Sequence, residues 1–333
     1  MDSPWQPLEY ALLNEFQRDF PLTARPYAEL GRKVGASETE VLTTLSRLQQ
    51  RGAISRIGAV FAPRRIGAST LAALQAPAAR LDEIAAYVSA RNEVNHNYQR
   101  DHAWNLWFVV AAADEQALQA TLRDIESGTG CKILSLPLLA EYHIDLGFDL
   151  RGAHKHKTPA PVAVVPRRPD AAERRLMTAL PAGLALAADP YAELGRRAGM
   201  DEARVLGYLQ AWLEEGLVKR FGVVVRHHEL GFHANAMVVF DVADAAITSV
   251  GRQLALEPGV TLCYQRRRCP PEWRYNLYCM VHGRSREAVV PVIERLNRIA
   301  GSRGEALFST RRFKQCGARY FADAGARQAM AHA

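Results

Sequence analysis

The chain has 333 residues and a formal net charge of +7. That length exceeds one small core, since domains usually hold about 100–200 residues. No apolar run approaches the roughly 20 residues of a membrane span. The start, Met1-Asp2-Ser3-Pro4-Trp5, lacks a basic-then-apolar leader, so a cytoplasmic protein with no membrane association is expected. Cys131, Cys263, Cys269, Cys279 and Cys316 include no CxxC pair, which argues against a disulfide framework and against an intrinsic zinc site. Charge alone leaves nucleic acid, an anionic surface and a polycarboxylate small molecule as partners.

In chain order, Leu12, Leu13, Phe16 and Phe20 have helical spacing. A second helix over Tyr27 to Lys33 should stop at Gly35, and Ser37-x-x-Glu40 is a capping box opening a third. The buried face of that third helix is Val41, Leu45 and Leu48, and Gly52 ends it. Three short helices with a tight turn before the last make a helix-turn-helix. Next come a strand at Ser69 to Gln75, a helix marked by Ile84, Tyr87 and Val88, and strands at Val94 to Arg100 and Asn105 to Ala112. A helix marked by Leu118, Leu122 and Ile125 and a strand at Ile133 to Leu136 complete a βαββαβ order, the ferredoxin-like arrangement.

The series then recurs. Pro26-Tyr27-Ala28-Glu29-Leu30-Gly31-Arg32 returns unchanged as Pro190-Tyr191-Ala192-Glu193-Leu194-Gly195-Arg196. Arg56-x-Gly58 returns as Arg220-x-Gly222, Tyr98-Gln99-Arg100 as Tyr264-Gln265-Arg266, and Asn105-Leu106 as Asn276-Leu277. A colinear series this long means duplicated domains. The late helix carrying Val289, Val292 and Leu296 contains Pro291 and should begin late or kink there. The expected fold is α+β, a tandem duplication of a winged helix-turn-helix plus a ferredoxin-like domain. Its parts are residues 5–60 (first helix-turn-helix), 61–150 (first ferredoxin-like domain), 151–170 (a Pro- and Lys-containing linker), 171–224 (second helix-turn-helix) and 225–325 (second ferredoxin-like domain).

This architecture resembles the Lrp/AsnC regulators, a likeness of fold rather than activity. A narrower resemblance is to the siroheme decarboxylases. It is carried in the first half by Arg56-Ile57-Gly58-Ala59-Val60-Phe61, His96-Asn97-Tyr98-Gln99-Arg100-Asp101-His102 and Tyr142-His143-Ile144-Asp145-Leu146-Gly147-Phe148. In the second half it is carried by Arg226-His227-His228-Glu229-Leu230-Gly231, Tyr275-Asn276-Leu277-Tyr278-Cys279-Met280 and Thr310-Arg311-Arg312-Phe313-Lys314. The fused arrangement is similar to the form associated with haem d1 synthesis in denitrifiers. The resemblance implies loss of carbon dioxide from the two acetates at ring positions 12 and 18, giving didecarboxysiroheme. It implies no cofactor, because the iron tetrapyrrole is itself the substrate, and it allows other haem d1 enzymes as partners.

Siroheme is rich in carboxylates, and arginine grips carboxylates bidentately. The candidate substrate-binding residues are Tyr98, Arg100, His143, Tyr264, Arg266, Arg267, Arg268, Arg311, Arg312 and Lys314; Arg267 and Arg268 can equally be a solvated strand end. Decarboxylation leaves an electron pair on carbon that an acid must protonate, and histidine titrates near neutrality. His96 and His102 are the leading candidates, and His96, Tyr98 and Arg100 alternate to one strand face. His102 could instead ligate the substrate's iron. The second copy has Leu262 and Arg268 where the first has these histidines, so His227 is the third catalytic candidate. The rival functions are a DNA-binding regulator and a haem sensor. Glu38 and Glu40, and Asp201 and Glu202, begin the two helices in the recognition position and would repel phosphates, so no specific DNA is expected.

Overall fold

A computed structural model describes residues 5–144, 167–226 and 228–321. His227 and most of the linker read at 151–170 lie outside the described residues, as does the motif from Asp145 to Phe148.

The first helix-turn-helix is α1 (Pro7–Asn14), α2 (Pro26–Val34) and α3 (Glu38–Gln50). The capping box forms as read: Glu40 N donates to Ser37 Oγ at 3.2 Å, and Ser37 N donates to Glu40 Oε2 at 2.8 Å. Gly35 takes the left-handed conformation that closes α2, with φ 70°. Phe16 and Phe20 are buried but lie beyond the end of α1, in irregular chain that packs on Phe221. Their spacing reflects a shared core rather than a longer helix. The second unit repeats the plan with α6 (Ala171–Ala179), α7 (Pro190–Ala198) and α8 (Glu202–Glu214).

The two units share one core. Leu12, Tyr27, Leu45, Leu176, Tyr191, Trp212 and Phe221 belong to a single buried cluster. The repeated tyrosines explain part of it: Tyr27 Oη donates to Ala185 O at 2.8 Å, and Tyr191 Oη donates to Pro21 O at 2.7 Å. Each tyrosine therefore reaches into the opposite half. The strands following the helices, β1 (Ile54–Phe61) and β6 (Val218–Val225), pair antiparallel with one another, Gly58 opposite Gly222. The expected wings are thus corrected to one ribbon shared between halves. Its partner strands are about 160 residues apart in sequence, beyond the reach of local hairpin signals.

Each ferredoxin-like unit has the anticipated order. The first comprises β2 (Ala68–Leu74), α4 (Leu81–Ala90), β3 (Val94–Arg100), β4 (Leu106–Ala112), α5 (Glu115–Thr129) and β5 (Ile133–Ile144). The second comprises β7 (Ala234–Phe240), α9 (Ile247–Leu256), β8 (Val260–Arg266), β9 (Leu277–Gly283), α10 (Arg286–Ala300) and β10 (Glu305–Gln315). The helix α10 runs continuously through Pro291, opened by Ser285, whose Oγ accepts from Ala288 N at 3.2 Å. It does not begin late as expected. Pro291 sits early in the helix, where its missing N–H leaves only the Glu287 carbonyl near the first turn without a partner.

Among the described residues, the two sheets join into one closed barrel ordered β10-β3-β4-β2-β5-β8-β9-β7. Two seams hold the halves together. At the first, β10 pairs β3, with Ser309 opposite Arg100 and Arg312 opposite Tyr98. At the second, β5 pairs β8, with Leu138 opposite Arg266 and Glu141 opposite Tyr264. Closure explains why β5 runs to Ile144 instead of stopping near Leu136: its second part pairs with β8 of the other half. The inner wall includes Leu71, Trp107, Leu136, Met237, Tyr264, Trp273, Tyr278 and Leu307. The outer faces are covered by α4 and α5 on one side, over Phe108 and Val110, and by α9 and α10 on the other, over Cys263 and Cys279. The halves thus meet sheet to sheet, as expected of an Lrp-type pair, but they are also sewn along both edges.

Candidate active site

The first seam gathers most of the candidate chemistry. On β3, Asn97 points outward and donates to Ala85 O and Ser89 Oγ of α4. His96, Tyr98 and Arg100 therefore face the other way, beside Val109 and Trp107 of β4. The rings of His96 and Tyr98 stack, with centroids 6.2 Å apart. His96 Nδ1 meets Asn95 Oδ1 at 3.1 Å, which is satisfied when Nδ1 carries the hydrogen and leaves Nε2 as an acceptor. Burial, reinforced by the Arg56 guanidinium, pushes the His96 imidazole down to about 4. Burial pushes the Tyr98 phenol up, while Arg312, Arg100 and Arg226 pull it back.

Arg100 is buried, and Nη1 donates to Leu307 O across the seam at 2.9 Å. Its counterpart Arg266 donates to Leu136 O across the second seam at 2.7 Å. Leu307 and Leu136 occupy equivalent ladder positions, opposite Met237 and Leu71 respectively, so each arginine ties its half to the other in the same way. This explains the repeated Tyr-Gln-Arg. Neither arginine has an acidic partner among the described residues, and the Nε of each is buried without a hydrogen bond. Desolvation brings the Arg100 guanidinium down to about 10. A buried, unpaired cation is costly, and a bound carboxylate offsets that cost. Arg266 instead lies over the Tyr264 ring at 4.6 Å.

The remaining candidates separate. Arg312 faces Tyr98 and forms a fork-to-fork pair with Glu229, at 2.5 and 3.2 Å. The Glu229 carboxyl, raised by burial, is brought below its usual value by that pair. Arg311 and Lys314 face outward: Arg311 pairs with Asp82, and Lys314 Nζ donates to Ser89 O and Arg91 O at the end of α4. Both are corrected from substrate binding to fastening a helix. Arg268 is held by Asp241, Asp244 and the Val242 carbonyl, and Arg267 is exposed, so neither joins the His96 face. His143 is buried on β5 opposite Cys263. His102 lies in the turn after β3, where Nδ1 accepts from Trp104 N at 2.9 Å and Nε2 meets Glu305 at 3.1 Å. With both ring nitrogens engaged it offers no lone pair to iron, and its geometry does not favour the catalytic role read for it.

Two arginines join the site that were not among the candidates. Arg56 of β1 acts on His96 and donates to Ala59 O, and Arg226, after β6, acts on Tyr98 and donates to Gly52 O. Each carries an orphaned buried Nε. Both stand inside the recognised motifs, but only the folding of the shared ribbon onto the barrel brings them to β3.

A tandem Lrp/AsnC-type chain, closed on itself and carrying different side chains around the repeated Tyr-Gln-Arg strand at its two seams, defines an asymmetric, two-copy protein on a regulator's scaffold. Residues 65–143 and 229–314 match the AsnC-like ligand binding domain. Residues 9–54 and 173–218 match the helix-turn-helix domain described as siroheme decarboxylase NirDL-like. The chain is 45% identical over 318 residues to the siroheme decarboxylase NirDL subunit of Paracoccus denitrificans, covering 93% of this chain and 96% of that one. It is 51% identical over 149 residues to the NirL subunit of Stutzerimonas stutzeri, covering 44% of this chain and 88% of that one. A crystal structure of siroheme decarboxylase NirDL with an iron-uroporphyrin III analogue superposes with a TM-score of 0.68 at 29% identity, covering 97% and 96% of the two chains. The chain belongs to the siroheme decarboxylase family.

Proposed function

We propose that this chain is a carboxy-lyase that decarboxylates siroheme, taking both acetate groups at ring positions 12 and 18 to methyl groups and yielding didecarboxysiroheme for haem d1 synthesis. The observation that carries the reading is the inner face of β3, where His96, Tyr98 and Arg100 meet Arg56, Arg226 and Arg312. The arginines balance the substrate's carboxylates. As each acetate loses carbon dioxide, the electron pair of the broken bond spreads into the macrocycle, and one proton then adds to the methylene carbon. His96 is the proposed donor. Its low affinity for a proton comes from burial and from Arg56. A carboxylate seated on Arg56 removes the second of these and raises the imidazole toward the working range. Substrate binding would thereby arm the acid. Tyr98, stacked on His96 and within the field of Arg312, Arg100 and Arg226, would steer the same group.

No cofactor beyond the tetrapyrrole is needed for this chemistry. We place the protein in the cytoplasm, the compartment that suits five cysteines with no CxxC pair. Among the described residues no helix is long and apolar enough to cross a membrane. The helix-turn-helix units serve as scaffold rather than DNA readers: Glu38 pairs with Arg25, Arg47 with Glu9, and Arg204 with Tyr208. Anaerobic incubation with siroheme and mass analysis tests the proposal. Loss of two carbon dioxide units is expected, and unchanged siroheme with folded protein contradicts it.

A further inference from the structure

The interior of the first seam carries a polar row that the second seam lacks. Ser309 lies opposite Arg100 in the β10–β3 ladder. Leu307 lies opposite Met237 and Phe308 opposite Ala236 in the β10–β7 ladder, and Ser309 and Asn235 are the next residue of each strand past its last pair. Asn235 pairs with His282 across β7 and β9. Met237, Met280 and Leu307 belong to the inner wall, so Asn235, His282 and Ser309, each two residues along its strand, face inward too. Arg100, Ser309, Asn235 and His282 thus form one row on four neighbouring strands.

Three atoms of that row are buried without hydrogen bonds: Arg100 Nε, Ser309 Oγ and Asn235 Oδ1. An orphaned buried polar group costs about 1–3 kcal/mol, so three on adjacent strands point to a polar ligand group. The rest of the row is held in place. His282 Nε2 meets Asn235 Nδ2 at 3.1 Å, and His282 Nδ1 meets Thr261 Oγ1 at 3.0 Å. The other imidazole tautomer donates Nε2–H to Asn235 Oδ1 while the Thr261 hydroxyl turns from the Met280 carbonyl to donate to Nδ1. The turned amide then presents its N–H groups to the interior. Arg100 Nε–H, the Ser309 hydroxyl and the Asn235 amide would together supply donors for one carboxylate.

The second seam is the internal control. The equivalent ladder positions hold Arg266, Leu138, Ser69 and Ala111. The orphaned arginine Nε is repeated there, but Leu138 replaces the hydroxyl beside it, and Ser69 and Ala111 replace the amide and its imidazole.

We infer that Ser309 and Asn235 complete, with Arg100, a carboxylate subsite of the substrate pocket, with His282 as a positioning residue for Asn235, and that this subsite exists at the first seam alone. The inference rests on the proposed action on a polycarboxylate tetrapyrrole. Its test imports the second seam into the first. Ser309→Leu and Asn235→Ser should each weaken binding of iron uroporphyrin by about tenfold or more and raise KM for siroheme similarly, with kcat less affected. Ser309→Ala, which removes only the hydroxyl, should show the same direction should the leucine disturb folding. Leu138→Ser, at the second seam, should leave both constants unchanged. His282→Ala should raise KM about as much as Asn235→Ser, and the double variant should lose no more than either alone, a non-additivity that a purely structural role would not give. Wild-type binding by Ser309→Ala and Asn235→Ser overturns the inference, as does equal weakening by Leu138→Ser or additive loss in the double variant. Should the wild-type chain bind iron uroporphyrin but leave siroheme intact, the catalytic reading fails while the binding comparison still decides the subsite.

Discussion

The two seams are built to one register and hold different chemistry. At the first, the Tyr-Gln-Arg strand carries His96 and faces Arg312; at the second, it carries Leu262 and faces Glu141. Arg100 and Arg266 make the same bond to the other half's last strand, so the shared residues hold the barrel closed. What differs between the seams is the charge balance. Glu141 introduces a negative charge where Arg312 supplies a positive one, and Lys219 rather than a ligand answers it. On the proposed reading, a polyanion would bind at the first seam and not at the second. Duplication supplies a stable frame, and the unequal positions within it supply function.

The largest effect should fall on His96. His96→Ala is expected to lower turnover of siroheme by about 10²–10⁴, the usual worth of a positioned acid, while iron uroporphyrin still binds. Steady-state rates with a parallel binding titration check it; near-wild-type turnover would move the acid to Tyr98, His143 or water.

Next in size is the contrast between the two arginines. Arg100→Ala and Arg266→Ala each delete one cross-seam hydrogen bond from a charged donor; Arg266→Ala should lose about 1.5–3 kcal/mol of stability in denaturant unfolding, and Arg100→Ala less, because it also removes a buried, unpaired cation. Only Arg100→Ala should also weaken iron uroporphyrin binding. Equal loss of binding from both would show that the seams work alike.

A smaller effect concerns acid stability. The folded-state value for His96, about 4, lies below its ordinary 6.5. Between those values the unfolded chain binds more protons, so this contribution is full above about pH 6.5 and is lost as pH falls toward 4. His96→Ala should flatten the melting temperature over that window; an unchanged slope would mean the imidazole is not held neutral.

The smallest effect should be symmetric. Tyr27→Phe and Tyr191→Phe each remove one bond between halves, to Ala185 and Pro21. Each should cost about 1 kcal/mol of stability with turnover unchanged. A selective loss of activity in one of them would extend the asymmetry into the helical layer.

Much of this was legible in the sequence where contacts are local. The capping box at Ser37, the left-handed stop at Gly35 and the alternation of His96, Tyr98 and Arg100 depend on neighbours a few residues away. The shared ribbon of β1 and β6, the extension of β5 and the barrel closure depend on strands in opposite halves, which periodicity does not register. The same division runs through the site. His96 was readable from its strand. Arg56, Arg226, Ser309 and Asn235 acquire meaning only when the halves meet. Lys314 and Arg311 looked like substrate ligands because their charge was visible and their outward direction was not.

The central claim is that one seam, not two, receives the tetrapyrrole. Titration of the full chain with iron uroporphyrin, followed by absorbance and calorimetry, tests it most directly. One equivalent should bind per chain, with affinity reduced by Arg100→Ala and retained in Arg266→Ala. Two equal equivalents, or a single one lost on substituting Arg266 and kept on substituting Arg100, would contradict the account.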